Sequence, residues 1–172
     1  PDHRVDLARS ALIIARAEYD DLDESAYIGR LDDLAERLRP ALAGVTGPEL
    51  KIAATNVLLF EEEGFKGNAD DYYNPKNSFL NEVLDRKLGI PITISIVYIE
   101  VGRRAGVPFH GIGLPGHFIV GLPSGTGRIF VDPFNRGKIL SEEDCRALTQ
   151  AYWSRKKPFD RGFLDPVWPK QI

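Results

Sequence analysis

The sequence predicts an α+β domain: a small antiparallel sheet on one central buried helix, preceded by a helical extension. Three observations predict it. Up to Glu63 the apolar residues recur at helical spacing. The run from Pro91 to Gly106 is apolar nearly all round until Arg103, which suits a helix enclosed by protein. Behind it, FHGIGL, HFIVGL and GRIFVDP are rich in β-branched and aromatic residues and bounded by glycine and proline, as strands are. Helices first and strands after is the α+β order.

Each element follows from its residues. VDLARSALIIARAEY sets Val5, Leu7, Ala8, Leu12, Ala15 and Tyr19 on one helical stripe. SAYIGRLDDLAERLRPAL repeats the pattern with Tyr27, Leu31, Leu34 and Leu38, and Pro40 and Gly44 predict its end. TGPELKIAATNVLLFEEEG starts on Thr46 as cap and stops at Gly64. FKGNADDYYNPKNS is a loop by its Gly, Asn, Asp and Pro. Asn77 or Ser78 caps the short helix FLNEVLDRKLG, which Gly89 ends, and Pro91 suits the first turn of the central helix. The Ile and Val of ITISIVYIEV would also allow a strand; helix is the reading adopted. SEEDCRALTQAYW is a helix with Ser141 as cap and Asp144 placed for a capping box. This divides the chain into a helical block at 1–67, a core at 68–155 and a Pro-rich tail at 156–172 expected to be irregular. The chain opens on Pro1 and lacks methionine, which predicts a piece of a longer protein.

Composition excludes some functions. A net charge of −3 and a pI of about 5.7 argue against a nucleic-acid surface, which needs a basic patch. KIAATNVLLF, the nearest thing to a hydrophobic segment, is too short to span a bilayer. No signal peptide is visible, and a cytoplasmic location is expected. The single cysteine, Cys145, excludes an internal disulfide and a multi-cysteine metal site.

The chemistry-bearing stretch is PGHFIVGLPSGTGRIFVDPFNRG. His117 opens one strand-like run and Asp132 closes the next, so a tight hairpin would bring them into reach. A carboxylate that orients an imidazole is two parts of a nucleophile-activating triad.

The order of buried helix, R-x-A-G-V-P, strand, G-H-F, strand and V-D-P-F resembles the core of the transglutaminase-like superfamily, with its papain-like fold. The resemblance covers roughly residues 78 to 137. Gly116-His117 looks like the family's Gly-His, Val131-Asp132-Pro133 its Val-Asp-Pro, and Arg103 to Pro108 the segment leaving the central helix. NSFLNEVLDRKLGIPITISIVYIEVGRRAGVP, GLPGHFIVG and VDPFNRGKILSEED are similar to the SirB-like bacterial branch, whose domain precedes tetratricopeptide repeats. The resemblance implies a cysteine nucleophile at the start of the central helix, where this chain has Pro91, Ile92 and Thr93. The branch generally lacks that cysteine too.

Two readings follow. One is a domain without acyl chemistry that binds a peptide or protein segment, with no cofactor. The other is a hydrolase or acyl-transferase with Thr93 or Ser95 as nucleophile, His117 as base and Asp132 as orienter. Asn77, Asn81, Glu82, Ser95 and Gly116 are the candidates for contacting a substrate, with Tyr72 and Tyr73 as a lip. Ser95 is otherwise expected to bond back to a carbonyl one turn earlier. Cys145 sits among acids, which disfavours a thiolate. His110, His117 and Asp132 match no tight metal motif, and Asn68, Asp70 and Asp71 do not follow a calcium-loop pattern; no metal is expected.

Overall fold

The computed structural model describes residues 6–152, 159–167 and 172. The N-terminal block is α1 (Leu7–Ala15), α2 (Glu24–Leu42) and α3 (Pro48–Asn56), the last running into a π-helical turn at Val57–Glu62. α1 stops a turn short of Tyr19, and Asp6 and Asp23 cap α1 and α2 through their carboxylates. Pro40 lies inside the last turn of α2. Thr46 does not cap α3; Gly47 holds that position and Pro48 is the first helical residue. The π-turn keeps Leu58, Leu59 and Phe60 all buried.

Two-residue β1 (Lys66–Gly67) and β2 (Leu88–Gly89) form a parallel bridge. Between them lie a 3-10 turn at Pro75–Ser78 and α4 (Leu80–Arg86). The expected caps Asn77 and Ser78 belong to the 3-10 turn, and Phe79 stands at the N-cap instead. α4 ends at Lys87, a non-glycine residue with φ 61°, rather than at Gly89.

α5 (Pro91–Arg104) is the central helix, and Pro91 opens it as expected. Residues 91 and 93 through 102 are buried. Its one buried acid, Glu100, faces the Arg103 guanidinium at 2.9 Å and also meets that of Arg104.

The sheet is antiparallel, in the order β6 (Lys138–Leu140), β5 (Gly127–Asp132), β4 (His117–Ser124), β3 (His110–Leu114), β7 (Pro166–Val167). The three central strands are the expected ones. The tail is not wholly irregular: it carries a 3-10 turn at Arg161–Leu164 and edge strand β7. Alternation along the strands supplies two cores. Phe118, Val120, Leu122 and Val131 join α5 and the N-terminal helices in one apolar cluster. Ile112, Leu114, Ile119, Phe130 and Leu140 form another with Cys145 of α6 (Glu142–Tyr152). Ser141 and Asp144 form the expected capping box, the Asp144 amide donating to Ser141 Oγ at 3.1 Å and the Ser141 amide to Asp144 Oδ2 at 2.8 Å.

Candidate functional site

Leu114 pairs with His117 across a two-residue turn, Pro115-Gly116, in which Gly116 has φ 76°. Gly116 therefore sets where β4 begins; it is a turn former next to the imidazole. Val120 pairs with Val131, so His117 and Asp132 lie diagonally across adjacent strands. His117 Nε2 is 2.9 Å from Asp132 Oδ2. Asp132 is fully buried, and His117 is partly exposed.

Asp132 also caps the 3-10 turn Pro133–Asn135. The Asn135 side-chain amide donates to Oδ2 at 2.7 Å and its backbone N–H to Oδ1 at 3.3 Å. Burial pushes the carboxyl up, but the His117 hydrogen bond and charge and the two Asn135 donors outweigh it and hold it below its ordinary value. Asn135 was not among the expected site residues. The D-P-x-N spacing, an Asx-type turn, is the sequence signal that could have found it.

Phe134 stands edge-on to His117, ring centroids 6.1 Å apart, and Tyr72 stands edge-on to Phe134 at the same distance. Gly67 makes room for the Phe134 ring, which a Cβ at that position would strike. Tyr73 packs edge-on against Tyr72 and is 93% exposed. An aromatic series thus runs from solvent to the imidazole.

The two candidate hydroxyls are occupied elsewhere. Thr93 Oγ1 accepts from the Ile90 N–H at 3.1 Å and donates to the Asn77 carbonyl at 2.7 Å. It ties the start of α5 to the loop before it. Ser95, fully buried, faces the Phe118 carbonyl at 3.5 Å instead of bonding back along its own helix. Neither hydroxyl hydrogen-bonds His117.

The other candidates brace the scaffold. Asn77 is fully buried, donates to the Asp71 and Tyr72 carbonyls, and accepts from Asn68. Asn68 in turn accepts from the Asp71 N–H. These side chains are spent on loop structure. Glu82 accepts from the Tyr19 hydroxyl at 3.0 Å and pairs with Lys76 at 3.5 Å. Asn81 lines a groove with Tyr19, Tyr27 and the loop joining α1 to α2. Neither Asn81 nor Glu82 hydrogen-bonds His117, whose partner is Asp132.

His110 cannot join His117 at a metal. It pairs with Gly121, four positions along β4 from His117, a separation of about 13 Å at ordinary strand rise. No group of three or more His, Cys, Asp or Glu suited to a metal occurs among the described residues. The His110 Nε2 is buried without a partner. Burial and the Arg128 charge push its pKa down, against a hydrogen bond with the Pro108 backbone. Cys145 is fully buried, and burial followed by the charges of Asp144, Asp132 and Glu142 pushes its thiol up to about 12.

Comparison with known proteins agrees with this architecture. Residues 25–172 match the family model described as the transglutaminase-like superfamily. The chain is 42% identical over 168 residues to a UPF0162 protein of Xylella fastidiosa strain Temecula1, covering 98% of this chain and 60% of the relative. It is 35% identical over 91 residues to a UPF0162 protein of Vibrio cholerae, covering 52% of this chain and 33% of the relative. It is 37% identical over 103 residues to F-box only protein 21 of Mus musculus, covering 55% of this chain and 16% of that protein. The chain spans less than two thirds of each of these relatives. No solved structure matches it. No helix among the described residues is long and apolar enough to cross a membrane.

Proposed function

This chain belongs to the transglutaminase-like superfamily, and we propose that it works there without acyl transfer, as a domain that binds a peptide or protein segment beside His117 and Asp132. The observation that carries the reading is that the Thr93 hydroxyl is engaged by the Asn77 carbonyl at 2.7 Å and that Ser95, fully buried, makes no hydrogen bond to the imidazole. A hydroxyl nucleophile needs its base in hydrogen-bond reach. The only cysteine lies in α6, with its thiol pushed up to about 12. The His117–Asp132 pair then serves as a fixed polar anchor for a partner's backbone or side chain. Tyr72, Tyr73 and Phe134 supply an aromatic lip, the kind of rigid surface that recognition sites favour. Membership of the SirB-like branch, tetratricopeptide repeats after residue 172 and a cytoplasmic location belong to the same proposal.

The test pairs a turnover assay with a binding assay on one preparation. A panel of acyl-directed probes and peptide esters should give neither turnover nor an adduct on Thr93 or Ser95. A displayed peptide library should yield ligands that Tyr73→Ala or His117→Ala weakens. Hydrolysis of a peptide amide or ester that His117→Ala abolishes would overturn the reading in favour of the hydrolase.

A further inference from the structure

We propose that His110 is an acid-sensitive latch: it keeps β7 on the sheet while its ring is neutral and lets that strand go when the ring takes a second proton. β3 lies between β4 and β7. His110 pairs with Gly121 of β4, and the next two residues, Gly111 and Ile112, pair with Val167 and Pro166 of β7. The His110 Nε2 is buried without a hydrogen-bond partner. Gly121 makes the slot for the ring, because a Cβ there would come within 2.4 Å of Nε2 and 2.8 Å of Ile112 Cδ1. The ring's hydrogen bond is to the Pro108 carbonyl, since proline has no N–H, so Nδ1 carries the single proton of the neutral form. A second proton would set an N–H on Nε2 against Gly121 and Ile112, where no acceptor stands, and a buried donor left unmade is costly.

It would also set a second cation beside Arg128, whose charge already acts on the ring. Arg128 is what ties the tail down: its guanidinium donates to the Leu164 carbonyl and faces Asp165 at 3.8 Å. β7 gives β3 two residue pairs, against five from β4. Repulsion between the two cations therefore falls on the weaker seam, and Arg128 cannot move off without loosening the tail.

The other charges on the elements around β3 are engaged elsewhere. On α5, Glu100 meets Arg103 and Arg104. On α6, Glu142 pairs with Arg161 of the tail, Glu143 with Arg146, and Asp144 accepts from Ser141. Asp160 caps the 3-10 turn at Arg161–Leu164, and on the strands Asp132 holds His117. Among the described residues no carboxylate pairs with His110 to offset the new charge. Burial and Arg128 both push its pKa below the ordinary value. The seam is thus fully held above that ordinary value, about pH 6.5, and loosens as pH falls below it.

The experiment is amide hydrogen exchange of the whole chain, read by NMR between pH 7.5 and pH 5 and corrected for the intrinsic rate at each pH. Protection at Gly111, Ile112 and Val167 should fall about tenfold over that range, while Val120 and Val131, paired between β4 and β5, keep theirs. His110→Gln should abolish the fall, and His110→Phe serves if the glutamine variant does not fold. Asp165→Asn should leave the fall in place. Constant protection at β7, loss at Val120 and Val131 in step with it, the same fall in the His110 variant, or its disappearance in Asp165→Asn would each overturn the latch.

Discussion

The Tyr98 hydroxyl donates to Asn56 Oδ1 at 2.9 Å, joining the central helix to the point where α3 becomes a π-turn. Asn56 passes the connection on: its Nδ2 donates to the Gly137 carbonyl at 3.0 Å, in the turn between β5 and β6. Gly137 has φ 72°, and a Cβ there would strike the Asn56 amide. One side chain thus fixes α5, α3 and the turn that follows Asp132. Asn56→Ala strands the Tyr98 hydroxyl and the Gly137 carbonyl, and should cost about 2 kcal/mol in urea unfolding. Tyr98→Phe should cost about 1 kcal/mol. If the two losses in the double variant add without coupling, the bridge does not operate in solution.

Asp132 should govern the acid limb of stability. Its carboxyl is held below its ordinary value in the fold. The stabilisation is therefore full above the unfolded carboxylate value, about pH 4, and is lost as pH falls through the lower folded value. Unfolding midpoints measured from pH 6 down to pH 2 should drop more steeply for the native sequence than for Asp132→Asn. Parallel curves would contradict this.

Glu100 and Arg104 should be separable only at a cost. Their side chains are 2% and 9% exposed, and Arg104 Nε also reaches Asp32 at 2.8 Å. Glu100→Gln leaves a largely buried guanidinium with one exposed carboxylate, and a loss of about 3 kcal/mol is expected. Adding Arg104→Met should restore part of it, because the unpaired charge goes too. Thermal melts of the single and double variants check the order.

Cys145 should be chemically silent. A buried thiol pushed up to about 12 presents almost no thiolate at neutral pH. A chromogenic disulfide reagent at pH 8 should react with the denatured chain within the mixing time and leave the native chain unmodified over the same interval. Rapid labelling of native protein would place the thiol in an accessible position.

The fold was legible wherever short-range chemistry decided it. Pro91 opens α5, and the turn between Ser124 and Gly127 closes the hairpin that carries His117 toward Asp132. Side-chain duties set by distant residues were not legible. Asn77 looked like a helix cap, but its amide is spent on the carbonyls of Asp71 and Tyr72. Thr93 was a candidate nucleophile and Ser95 was otherwise expected to bond back along its own helix, yet the carbonyls they face come from a loop and a strand that only the tertiary fold brings near. Lys87 in a left-handed conformation leaves Gly89 free for the parallel bridge, where a Cβ would strike Thr93 Oγ1. β6 and β7 span three and two residues, too few for a periodic pattern.

The apolar cluster shared by α1, α2, α5 and the sheet has a consequence for any dissection of the chain. Leu7, Ala8 and Leu12 are buried against residues that belong to the core. Cutting the chain ahead of Glu24 would not release an appendage; it would open the wall behind the central helix and expose leucine-lined surface to water. The smallest piece able to stand alone therefore begins before α1, and a shorter one should be recovered as aggregate.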